Sequence, residues 1–183
     1  MKLGRIRRED AVLVVVDLQE RLVPAMSDGG AAGRAALLIR GCEVLGVPFL
    51  ATQQYTKGLG DTVSEVREAA VSFHYIEKSA FSVMGDAAFA EALKKSGRKT
   101  VLLCGAEAHV CVLQSALDMI EEGYAVFLAA DAISSRKKRD EDAAVRRMVC
   151  AGAVPVTAES ALFELLDNDS RSDTFKAISK LVK

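Results

Sequence analysis

The chain predicts an α/β fold: one domain spanning residues 1–183, built on a doubly wound, six-stranded parallel sheet with helices on both faces. Three observations point there. Apolar runs such as Ala11-Val-Leu-Val-Val-Val16 are continuous rather than alternating, as in strands buried on both faces. These runs alternate with segments of helical apolar spacing, the order expected of parallel strands joined by helical crossovers. Half of the 183 residues are hydrophobic, enough for one substantial core, and no linker or low-complexity break divides them.

The elements follow in order. The first strand, Ala11–Val16, stops at Asp17. Helical spacing runs from Gly30 to Leu45, and Gly46 leads into a second strand at Val47–Ala51. After a polar loop, Phe73–Ile76 reads as the third strand. A helix over Ala87–Lys95 ends in Ser96-Gly97, and Thr100–Leu103 is the fourth strand. Next comes a helix that begins near Cys111 and stops at Gly123. Its residues Val112, Leu113, Ala116, Leu117 and Ile120 share an apolar face, with Gln114, Ser115, Asp118, Glu121 and Glu122 turned away. Tyr124–Ala130 is the fifth strand, followed by a helix from about Asp140 to Cys150. Ala153–Val156 is the sixth, placed at an edge because Pro155 has no N–H to give a ladder. Helices at Ser160–Leu166 and Thr174–Val182 complete the pattern.

Charge excludes some functions. With 24 basic against 25 acidic residues the net charge is −1, which makes no electrostatic case for nucleic acid or an anionic membrane. No apolar run approaches the roughly twenty residues of a membrane span. The charged start Met1–Asp10 followed by a short apolar run reads as a strand, not a signal peptide. Cys42, Cys104, Cys111 and Cys150 form no CxxC pair, and His74 and His109 supply no metal-ligand spacing, so neither metal nor other cofactor is expected. Scattered cysteines of this kind suggest free thiols in a reducing cytoplasm, with Cys42, Cys104 and Cys150 packed in apolar patterns. Gly58-Leu-Gly60 lacks the third glycine of a dinucleotide loop, and Arg136-Lys-Lys-Arg139 reads as a solvated loop.

Chemistry gathers at strand ends. Cys111 falls in the first turn of a helix just after the fourth strand, where unpaired N–H groups and the helix dipole favour a thiolate. The alternative is one more small core thiol. Asp17 closes the first strand and Lys78 follows the third, so the sheet brings all three to one rim, where a parallel α/β fold binds its ligand. A carboxylate can take the thiol proton and a cation can hold the thiolate. His109 in a first helical turn is read as a solvent-facing or hydrogen-bonded residue, not a base.

The chain resembles the isochorismatase-like cysteine hydrolases over nearly its whole length. The resemblance is carried by Val14-Val-Val-Asp-Leu-Gln19, Glu77-Lys-Ser-Ala-Phe-Ser82, Cys104-Gly-Ala-Glu-Ala-His-Val-Cys111-Val-Leu-Gln-Ser-Ala-Leu-Asp118 and Ala130-Asp-Ala-Ile-Ser-Ser-Arg136. It implies a Rossmann-like three-layer fold and a catalytic triad of Asp17, Lys78 and Cys111. It also implies a cis peptide at Ala106–Glu107 and an oxyanion hole from the backbone N–H groups of Glu107 and Cys111. The implied activity is metal-independent hydrolysis of a small amide or related carbonyl compound through a thioester on Cys111. The family pattern places Gln19 in the crevice, and a homo-oligomer is implied as well. Leu22, Gln54, Tyr55 and Phe81 are further candidates for the substrate lining, although a Phe in the place of Phe81 is more often simple core.

Two departures shape that expectation. Nicotinamidases of this fold bind a metal through an Asp and a His after strand two, where this chain has Gln54 and Thr56, both poor ligands. The segment Gln53-Gln-Tyr-Thr-Lys-Gly-Leu-Gly60 instead resembles the isochorismatase domain-containing subgroup. Ala108 stands where many relatives have Thr. These departures keep a second expectation open, a catalytically inactive oligomeric binding or scaffold protein.

Overall fold

The computed structural model describes residues 4–167 and 172–183. The strands are β1 (Ala11–Val16), β2 (Phe49–Gln54), β3 (Ile76–Lys78), β4 (Thr100–Ala106), β5 (Ala125–Ser134) and β6 (Val154–Val156). They form a six-stranded sheet in the order β3-β2-β1-β4-β5-β6, parallel at every pairing. The helices are α1 (Ala31–Leu45), α2 (Thr56–Leu59), α3 (Ser64–Arg67), α4 (Ala87–Lys95), α5 (Leu113–Glu121), α6 (Lys138–Ala151), α7 (Ala158–Leu166) and α8 (Asp173–Leu181). The fold class is the one predicted, and β6 with Pro155 lies at an edge.

Strand periodicity sorts the core into two layers. On β1, Leu13 and Val15 join α1, α7 and α8 on one face, while Val12, Val14 and Val16 join α4, α5 and α6 on the other. On β4, Leu102 and Cys104 face the first layer and Val101 and Leu103 the second. All six residues of β1 are buried, which is why its sequence is uniformly apolar. Helix α1 packs on α7 at Gly41, where a Cβ would lie 2.3 Å from a Leu162 methyl. No helix among the described residues is long and apolar enough to cross a membrane.

Several boundaries differ from the sequence reading. β2 runs three residues further, through Thr52, Gln53 and Gln54, and β3 starts where its predicted span ended, so Lys78 is the last residue of the strand. β5 continues to Ser134 because it stays paired with β4 to the end, Ala106 opposite Ser134. Ser115, expected to face away, is fully buried, and its hydroxyl donates to the Cys111 carbonyl at 2.6 Å while accepting from the Val83 N–H at 3.0 Å. Cys150 is exposed rather than packed, while Cys42 and Cys104 are buried as expected.

Candidate active site

The sheet changes its winding direction between β1 and β4. The chain steps outward from β1 to β2 and β3, then returns to the other side of β1 for β4. Such a switch point opens a crevice at the carboxyl ends of the strands. Asp17 follows β1 there, and the loop after β4 brings Cys111. Lys78 arrives from two strands away, its backbone in register with Gln54.

Asp17 is the hub. It adopts a left-handed backbone conformation (φ 49°), which Asp tolerates better than most residues, and its side chain is fully buried. One carboxylate oxygen accepts from the Thr52 hydroxyl at 2.7 Å and the other from the Lys78 ammonium at 2.6 Å. Lys78, with no exposed side-chain surface, also donates to Gln54 Oε1 at 2.7 Å and to the carbonyls of Ala80 and Phe81 at 3.1 Å. A buried charge pair persists where remaining polar valences are met in this way.

Cys111 completes the cluster. Its thiol lies within the electrostatic reach of the Asp17 carboxylate, the Lys78 ammonium and the Glu107 backbone. Burial, reinforced by the Asp17 charge, pushes the thiol up to about 12, and the opposing pull of Lys78 and the Glu107 N–H does not offset it. This direction runs against the thiolate expected from the helix start. Nor is Cys111 in a regular α-helical turn: Ala108–Val112 forms a π-helical turn, with the Val112 N–H reaching the Glu107 carbonyl at 3.2 Å, before α5 begins. The Ala106–Glu107 peptide is cis.

The implied lining residues separate into two groups. Gln19 is fully buried, donating to the carbonyls of Gln54 (3.1 Å) and Gly60 (2.7 Å) and accepting from the Gln54 N–H (2.7 Å). Gln54 spends its carboxamide on Lys78 and on the Ser79 carbonyl, 2.8 Å away. Gln19 thus serves as a buried strut, whereas Gln54 is half-buried and has a second amide N–H beside the one given to Ser79. Tyr55 and Phe81 flank Lys78 in space: the Tyr55 N–H donates to the Lys78 carbonyl and the Phe81 carbonyl accepts from its ammonium. Each exposes more than half its surface, so they form the rim. Leu22 is half-buried, tied by its N–H to the Gln19 carbonyl. Thr52 was not singled out from sequence; its spacing with Gln54 on one face of β2 was the available signal.

Residues 11–160 match the isochorismatase domain. Isochorismatase domain-containing protein 2 of Danio rerio is 34% identical over 181 residues, covering 98% of this chain and 90% of that protein. The chain belongs to the isochorismatase family. Among solved structures this family member is similar to MAR1 ribonuclease from Caenorhabditis elegans, with TM-score 0.89 and 34% identity over 98% of this chain and 92% of that one. It is also similar to YcaC from Pseudomonas aeruginosa with hexane-2,5-diol and covalent acrylamide, with TM-score 0.91 and 26% identity over 100% of this chain and 92% of that one.

Proposed function

We propose that this isochorismatase-family protein is a metal-independent cysteine hydrolase of a small amide or related carbonyl compound. The observation that carries the reading is the buried Asp17, clamped by Lys78 and Thr52 at the strand ends where its charge acts on the Cys111 thiol. Asp17 takes the thiol proton as Sγ attacks the carbonyl carbon, so a thiolate forms only during attack. Lys78 then faces a thiolate in place of a carboxylate, and the net charge of the cluster is unchanged. The carbonyl oxygen gains negative charge opposite the N–H groups of Glu107 and Cys111. Collapse breaks the C–N bond, and the amine leaves with the proton held on Asp17. Water then adds to the thioester as Asp17 removes its proton; release of the acid returns that proton to sulfur.

One observation favours a second reading. A thiol raised to about 12 is also what an inert, packed cysteine in a binding or scaffold protein would show. Acrylamide labelling of each cysteine from pH 6 to 11, mapped by peptide mass spectrometry, separates the two. With Asp17 as base, Cys111 labels at pH 7 and Asp17→Asn abolishes this, while exposed Cys150 serves as the free-thiol control. Labelling of Cys111 that falls about tenfold per pH unit below its pKa in both wild type and Asp17→Asn supports the scaffold.

A further inference from the structure

The turn that carries Cys111 is held from outside by a segment that the proposed chemistry does not use. Ser135 and Arg136 follow directly from the last residue of β5. Arg136 donates twice to one Glu107 carboxylate oxygen, from Nε at 2.8 Å and from its backbone N–H at 3.3 Å. Ser135 Oγ accepts the His109 backbone N–H at 3.3 Å and lies 2.9 Å from its Nδ1. Ser135 is fully buried and its own N–H donates to Glu141, so the clamp has a fixed base. The two anchored residues, Glu107 and His109, bracket Ala108 in the π-helical turn leading to Cys111.

Glu107 is the joint between clamp and nucleophile. Its carbonyl accepts from the N–H groups of Val110 and Val112, on either side of Cys111, and its carboxylate belongs to Arg136. The Glu107 side chain is 11% exposed and that of Arg136 61%. A pair with one partner so open to water adds little to stability. Its geometry matters more: two donors from one residue fix the direction of the carboxylate, and with it the residue whose carbonyl holds the turn around Cys111.

We propose that Arg136 is a positioning residue for the nucleophile, acting through the Glu107 carboxylate to hold the turn that carries Cys111 and so to aim the Glu107 N–H at the oxygen of the reacting carbonyl. This rests on Cys111 being the nucleophile. It replaces the solvated-loop reading of Arg136, and it gives β5's extension beside β4 a purpose.

The test measures acrylamide labelling of Cys111 against pH in wild type, Arg136→Ala, Arg136→Lys, Glu107→Ala, Glu107→Gln and the double Ala variant. Hydrogen exchange of the peptide spanning residues 106–112 is followed in the same proteins. Arg136→Ala should slow labelling at pH 7 on the order of tenfold and move the profile to higher pH, as expected when a donor at a reacting centre is misaimed. Glu107→Ala should match it, and the double variant should be no slower than either, because both remove one link. Glu107→Gln keeps an acceptor for Arg136 and Arg136→Lys keeps a donor, so each should recover part of the rate. Exchange in 106–112 should quicken in the Ala variants, with Cys150 labelling unchanged. Wild-type profile and exchange in Arg136→Ala would overturn the proposal and leave the hydrolase reading standing. If wild-type Cys111 proves inert, the hydrolase reading fails; Arg136 as a positioning residue for the nucleophile falls with it, and quickened exchange would show only a structural tether.

Discussion

At the scale of single residues, the site is held by the way Asp17 and Lys78 depend on each other. Neither side chain has exposed surface, and 2.6 Å separates them. Removing one leaves the other charged and dry, a change that typically costs about 3–5 kcal/mol. Lys78→Met, close in shape but without charge, should therefore lower stability by about that much in urea unfolding. Asp17→Asn combined with Lys78→Met should be less destabilised than Lys78→Met alone, since no buried charge is then orphaned. A double variant weaker than the single would mean that the ion pair is not what holds the cluster. Thr52→Val strips one hydrogen bond from Asp17 while keeping the volume, and about 1–3 kcal/mol is the expected loss on the same assay.

At the scale of elements, β1 and β4 meet so closely at the switch point that one position admits only glycine. Gly105 has φ 127°, and a Cβ built there would lie 2.1 Å from the Val16 carbonyl oxygen. Backbone cannot yield as a flexible side chain can. Gly105→Ala should cost at least about 3 kcal/mol, the top of the usual range for overpacking, and should leave α7 and α8 intact by circular dichroism if the damage is local. A loss under about 1 kcal/mol would mean the two strands separate freely there. The same region shows what sequence could tell. The apolar middles of β1, β4 and β5 were legible because burial on both faces forces a continuous hydrophobic run. The carboxyl ends of β2 and β3 were not, since Thr52-Gln-Gln54 and Glu77-Lys78 are polar where strands meet the site, and polarity reads as loop. Asp17, Lys78 and Cys111 were legible as a group from strand ends plus family resemblance. The supports around them, Thr52, Ser115, Ser135 and Arg136, lie in strands or turns whose pairing only the fold reveals.

At the scale of the whole molecule, three thiols titrate together with folding. Cys42 and Cys104 lie in the layer between the sheet and α1, and Cys111 in the other. Burial raises all three above the ordinary thiol value of 9.0, Cys42 and Cys111 to about 12 and Cys104 in the same direction. A raised acid group binds its proton more tightly in the folded state. Its stability contribution is thus complete below about pH 9 and is lost as pH climbs toward 12 and the unfolded chain ionises first. Each thiol adds a slope of about 1.4 kcal/mol per pH unit in that window, so the three together approach about 4. Lost over a single pH unit, that is already a large share of the roughly 5–15 kcal/mol that holds a domain folded. Stability from denaturant melts should therefore fall steeply between pH 9 and about 11. Tyr and Lys side chains titrate in the same range, so the decisive comparison is with Cys42→Ala, whose slope should be shallower by one thiol's worth. Cys111→Ala should flatten the slope similarly, although Cys111 belongs to the site and Cys42 to the core. Parallel curves for wild type and Cys42→Ala would mean that this thiol is already ionised, or already wet, in the folded protein. The Cys111 curve carries more. A flattening there would show that the folded protein keeps the Cys111 thiol protonated, the starting state of the proposed mechanism with Asp17 as base.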